Sequence, residues 1–182
     1  VWQQLEVLKK LPRDILKIVV PMFDGSNQLP VAFYRKYKNT FYVCFSKNQY
    51  YFLKISGLPA IQIQYFPELQ RNVEKSRSGI FFWERTPTFG FDFQKAQKIA
   101  AALGETLIFR PFHDPHDPKS TKTQAEWLSK EDYLSKLAKA KYFLAPRRAE
   151  GIGQSFLDAM SLDLVVIAHD EPTMNEYIRQ NR

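Results

Sequence analysis

From residue 79 onward the chain alternates short apolar runs with amphipathic stretches of about ten residues, and this rhythm constrains the fold more than any other feature. Strands are expected over 79–83, 106–110, 142–145 and 164–168, and helices after Asp92, over 131–140, over 154–161 and from 172 to 179. Asp92 is placed to cap a helix that carries Phe93, Ala96, Ala100 and Leu103 on one face, and Gly104 to end it. Short buried strands joined by helices imply parallel pairing through right-handed crossovers, hence an α/β protein with an open, doubly wound sheet.

The first part alternates in the same way. Residues 15–21 (ILKIVVP) read as a strand closed by a turn over 24–27, and a short helix follows over 30–37. Then come a strand over 40–45, a helix over 47–55, a stop at Ser56-Gly57-Leu58-Pro59 and a strand over 60–66. The polar run 72–78 (NVEKSRS) suggests a hinge, so the expected domains are 1–76 and 77–182.

Charge supports two different surfaces. The net charge is +7, yet residues 1–76 hold eleven Lys/Arg against five Asp/Glu, so nearly all the excess lies there. Arg35, Lys36, Lys38, Lys47 and Lys54 lie among Phe33, Tyr34, Tyr37, Tyr50 and Tyr51, a mixture suited to anionic lipid headgroups or nucleic acid, but it reads first as a solvated helix face over aromatic core residues. Nucleic-acid binding ranks last because no RNA- or DNA-binding module is present. The single cysteine, Cys44, excludes an intramolecular disulfide and fits a reducing compartment, so a cytoplasmic location is expected, with room for peripheral contact at the inner membrane face.

In doubly wound sheets the ligand crevice lies beyond the carboxyl ends of the strands, which directs attention to residues 84–86, 111–118, 146–153 and 169–173. The loop 146–153 (PRRAEGIG) runs from a strand into a helix. Its two glycines let backbone N–H groups approach an anion, and the positive end of the helix dipole faces the same place. In the helix, Phe156, Ala159 and Met160 are expected on the core face, with Asp158 turned away from it towards a ligand diol.

Residues 150–160 (EGIGQSFLDAM), then 164–170 (LVVIAHD), then Glu176-Tyr177-Ile178, resemble the signature of the retaining GT-B glycosyltransferases of the Glu-x7-Glu superfamily. That resemblance implies a GT-B-like fold of two Rossmann-like doubly wound parallel sheets, both incomplete here. It implies a nucleotide-diphosphate sugar as donor substrate, no cofactor or metal, and a glycan or lipid-linked acceptor. Glu150 matches the first family Glu, beside the donor sugar, and is the expected catalytic residue. Gly151, Ile152 and Gly153, leading into Gln154 and Ser155, match the stretch that holds the donor phosphates or faces the transferred sugar. Asp158 stands where the family has its second, ribose-binding Glu, a departure that shortens the side chain. Glu176 matches a later, less diagnostic Glu.

Residues 80–85 (IFFWER) resemble the first strand of the family's nucleotide-binding domain. Arg85 fits the first of the two cations that neutralise the donor diphosphate, whereas Gly90 and Phe91 stand where the second, a Lys, belongs; Arg147 or Arg148 could supply that charge. Residues 42–46 (YVCFS) and 62–67 (QIQYFP) resemble the end of the acceptor-side domain. The resemblance therefore implies a piece that lacks the first acceptor-side strands and stops before the last donor-side elements. Two alternatives stand beside sugar transfer: a nucleotide-sugar epimerase, and a non-catalytic GT-B-like nucleotide-binding subunit. His113 and His116, each followed by an Asp-Pro pair, read as a proline-broken loop rather than a metal site. His169 reads as a loop histidine, and Trp2, Trp83 and Trp127 as core or docking anchors.

Overall fold

The structure, a computed structural model, describes residues 5–68, 76–84, 91–111 and 129–178. These fall into two compact units. The first draws on residues 1–66, 148–153 and 170–182, and the second on 67–147 and 154–169. A single cut after residue 76 was expected; instead, two later stretches, the loop before a helix and the tail after the last strand, join the first unit.

In the first unit, β1 (Lys17–Val19), β2 (Thr40–Cys44) and β3 (Ala60–Gln62) form a parallel sheet in the order β1-β2-β3. The run TFYVC supplies period-two alternation, so Thr40, Tyr42 and Cys44 are buried while Phe41 and Val43 are half-buried. Leu5, Leu8, Val19, Tyr34, Tyr42, Cys44, Leu53 and Ala60 make the core. Tyr34, on α2 (Val31–Arg35), is fully enclosed, and its hydroxyl donates to the Ser26 carbonyl at 3.0 Å and accepts from Gln49 Nε2 at 3.2 Å. Gln49 and Leu53 are the buried positions of α3 (Lys47–Ile55). Cys44 has no exposed surface, and burial pushes its thiol pKa up to about 12. The cations Arg35, Lys36, Lys38, Lys47 and Lys54 are exposed, whereas Phe33, Tyr37 and Tyr50 pack against the core.

Several elements differ from expectation. A 3-10 segment, Leu5–Lys10, opens the described chain and buries Leu5 and Leu8. The turn expected over 24–27 is a single helical turn, α1 (Phe23–Ser26), because Phe23 is buried and the Ser26 hydroxyl bonds back to the Met22 carbonyl at 2.7 Å. β3 is shorter than 60–66. Past Ile63, which still donates to the Cys44 carbonyl at 2.9 Å, the chain leaves the sheet; Gln64 Nε2 then bonds the Glu176 carbonyl, and the Tyr65 N–H bonds the Tyr177 hydroxyl. In place of a helix from 172, one 3-10 turn spans Met174–Glu176. The hinge expected at 72–78 lies largely outside the described residues.

In the second unit, β4 (Ile80–Trp83), β5 (Leu107–Arg110), β6 (Tyr142–Ala145) and β7 (Val165–Ala168) form a parallel sheet in the order β5-β4-β6-β7. The chain steps outward from β4 to β5, returns past β4 to β6, and continues to β7. The direction reverses between β4 and β6, which is where such sheets bind ligands. α4 (Phe93–Ala102) is capped by Asp92, whose Oδ1 accepts from the Lys95 N–H at 2.9 Å, and Gly104 follows its end at φ +64°.

The face of α4 was expected to run from Phe93 to Leu103. Ala96 and Ala100 are buried, but Phe93 and Leu103 are exposed, because the contact stripe centres on the small residues. Ile80 and Phe82 cluster with those alanines. Phe81, one residue out of phase, instead stacks on Phe143 and meets Tyr133 of α5 (Lys130–Ala138). The fold is mixed α/β with two parallel Rossmann-like sheets, as the alternation predicts.

Candidate functional site

The loop after β6 leads into α6 (Gln154–Ser161). Within the first unit, this loop meets the chain at Thr173 and at the start of α1. The buried Thr173 hydroxyl donates to the Glu150 carbonyl at 2.7 Å. Gly151 lies against the start of α1, where a Cβ would come within 2.5 Å of Met22 Cε and 3.1 Å of Asp24 Oδ1. Gly153 has φ +75°, a conformation that side-chain-bearing residues rarely adopt. A side chain at 151 would make the Met22 side chain give way, and one at 153 would be strained by the positive φ.

Glu150 is 8% exposed, and Gly151 and Gly153 are buried. Among the described residues, the backbone N–H groups of Gly151, Ile152 and Gly153 donate to no protein acceptor. Buried amides in folded proteins nearly always have a partner, and one left unpaired costs on the order of 1–3 kcal/mol. Three consecutive uncommitted donors, two of them on buried glycines, suit an anion.

Thr173 has φ +78° and ψ −57°, the rare γ-turn geometry, and for a β-branched residue this is strained. Nothing in the sequence marks it. Glu176 is committed: its carboxylate accepts from the Ser46 hydroxyl at 2.9 Å and the Lys47 N–H at 2.8 Å, so it caps α3. A cleft of about 600 Å³ lies beside that cap, bordered by Lys47, Asn48, Tyr51, Asp170, Asn175 and Glu176.

In the second unit, α6 corrects two expectations. Met160 is exposed, and Asp158 is 5% exposed instead of turned outward. Phe156, Leu157, Asp158, Ala159 and Ser161 are all buried, so α6 is enclosed on most of its circumference. Burial raises the Asp158 pKa, against the pull of Lys130 Nζ at 3.7 Å. Gln154 is exposed and Ser155 half-buried at the start of α6. Arg147 is half-buried and Arg148 exposed. Glu84, just past β4, has its pKa raised by burial and then by the nearby charge of Asp92. Arg85, the 111–118 loop beyond Pro111, and with it His113 and His116, lie outside the described residues, as do Trp2 and Trp127; His169 is exposed.

Among solved structures, the chain is similar to the GtfA/B complex, a glycosyltransferase, with a TM-score of 0.63 and 15% identity. The chain has a GT-B glycosyltransferase-like fold. The match covers 96% of this chain and 42% of that one, so this chain spans about two fifths of the length of its structural neighbour. No protein-family model and no curated protein matches the sequence. Among the described residues, no helix is long and apolar enough to cross a membrane.

Proposed function

We propose that this chain belongs to a glycosyltransferase that moves a sugar from a nucleotide-diphosphate donor to a glycan or glycolipid acceptor with retention of configuration. The observation that carries the reading is the set of consecutive amides at Gly151, Ile152 and Gly153 with no protein acceptor among the described residues. As the diphosphate departs it gains negative charge, and fixed N–H donors stabilise that charge without reorganising. Removal of one such donor typically costs ~10²–10³ in rate. Glu150, in the same loop, holds the donor sugar through its hydroxyls, and the leaving phosphate accepts the acceptor's proton. Gln154 and Ser155, at the start of α6, take the nucleotide side of the donor; Asp158 would reach the ribose only by turning from its buried place beside Lys130. Arg85 and Arg147 supply cations. No cofactor or metal takes part, and the reaction belongs to the cytoplasm or the inner membrane face.

Replacement of Glu150 by Ala is expected to abolish transfer in an assay across UDP-, GDP-, ADP- and TDP-sugars while leaving the thermal midpoint near that of the parent. Undiminished turnover would remove Glu150 from the reaction. A second reading is a non-catalytic nucleotide-binding subunit. It is favoured by Asp158 and Glu176, since one is buried beside Lys130 and the other is occupied in capping α3. Binding of a nucleoside diphosphate without transfer or hydrolysis would select it.

A further inference from the structure

We infer that Arg110 is an anion-binding residue of the second unit, set to receive a phosphate ester or diphosphate at the carboxyl edge of the β4–β5 pair. Arg110 is the last residue of β5 and lies in register with Trp83, the last residue of β4. In-register partners on parallel strands point to the same face. The Arg110 guanidinium accordingly lies 4.2 Å over the Trp83 ring and 5.8 Å from the ring of Tyr133.

Among the described residues no opposite charge compensates this cation. Arg110 is half-buried, and burial lowers its pKa. Among the described residues, no carboxylate lies within ion-pairing distance of it and no acceptor takes its N–H groups. A partly desolvated cation without a counter-charge is costly. The indole face offsets part of that cost, but it engages the flat of the guanidinium and leaves the in-plane N–H fork for another group. That fork matches two oxygens of a phosphate, and the stack fixes its plane. Arg110 stands at the carboxyl edge of the sheet, one strand from the β4–β6 reversal, and its guanidinium reaches back over Trp83 of β4. The inference rests on the proposed function only in assigning the phosphate to a nucleotide sugar.

The test is calorimetric titration with inorganic pyrophosphate and, separately, with nucleoside diphosphates, on the parent, Arg110→Met and Arg110→Lys. Arg110→Met is expected to weaken pyrophosphate binding about tenfold to a hundredfold, as loss of a charged hydrogen-bond donor does. It should also reduce the salt dependence of binding, which a purely structural role would leave unchanged. Arg110→Lys keeps the charge without the fork or the stack, so its affinity should fall between the two, and it carries the test should Arg110→Met fail to fold. Trp83 fluorescence should change on saturation in the parent and not in Trp83→Phe. Pyrophosphate binding that depends on Arg110 without any nucleotide binding would support this site while contradicting the proposed function. Equal affinity in the parent and both variants, or no saturable binding by the parent, would overturn it.

Discussion

The hydroxyl of Thr173 donates a 2.7 Å hydrogen bond to the backbone carbonyl of Glu150, which ties the tail that follows β7 to the loop that carries the candidate catalytic residue. Thr173 is wholly buried and holds a positive φ to reach that carbonyl. Strained backbone of this kind costs on the order of 1–3 kcal/mol and persists only when its surroundings enforce it.

Thr173→Val keeps the shape and the strain but removes the donor, leaving a buried carbonyl short of its partner. Urea denaturation should show a loss of about 1–3 kcal/mol. Thr173→Ser should recover most of it. Equal stability of the parent and Thr173→Val would show that the bond contributes nothing.

Glu176 accepts from both Ser46 and the Lys47 N–H at the amino end of α3. Glu176→Ala removes a charged cap from the positive end of a helix, so denaturation should show a loss of about 1–2 kcal/mol. Amide hydrogen exchange should accelerate in the first turn of α3. Unchanged exchange there would contradict the capping role.

Asp158 has its pKa raised by burial, so the folded chain binds its proton more tightly than the unfolded chain does. Its contribution to stability is therefore present below the unfolded pKa, about 3.9, and is lost as pH rises through the folded value. Asp158→Asn should flatten the decline of stability across that window. A steeper decline in the variant would reverse the assigned sign.

Gly79 precedes β4 with φ +86°, and a Cβ there would lie 2.8 Å from Thr106 Oγ1 and 2.9 Å from the Thr106 carbonyl oxygen. Gly79→Ala combines backbone strain with that clash, and the expected loss is about 1–3 kcal/mol by chemical denaturation. A neutral substitution would mean that the β4–β5 pairing yields at its start.

The parts of the fold legible in the sequence were those with local causes. α3, β6 and α6 have the expected bounds because apolar periodicity and end signals coincide within a few residues. The loop between β6 and α6 was legible for the same reason. What was not legible depends on residues far apart in the chain. Glu176 meets Ser46 across 130 positions, and β3 is cut short because Gln64 and Tyr65 turn to Glu176 and Tyr177. Asp158 was expected to face outward because a polar residue on an amphipathic helix usually does; α6 is buried on most sides, so composition misleads there. Arg110 gave no signal beyond its place at a strand end, since only the register with Trp83 brings the guanidinium over the indole.

The central claim is that the amides of Gly151, Ile152 and Gly153 grip a diphosphate. It is tested most directly by following their ¹H–¹⁵N resonances during titration with nucleoside diphosphates. The account predicts that these three move together, saturably, with the ligand that binds. Resonances that stay fixed while a nucleoside diphosphate binds elsewhere, or while none binds to the folded chain, would contradict it.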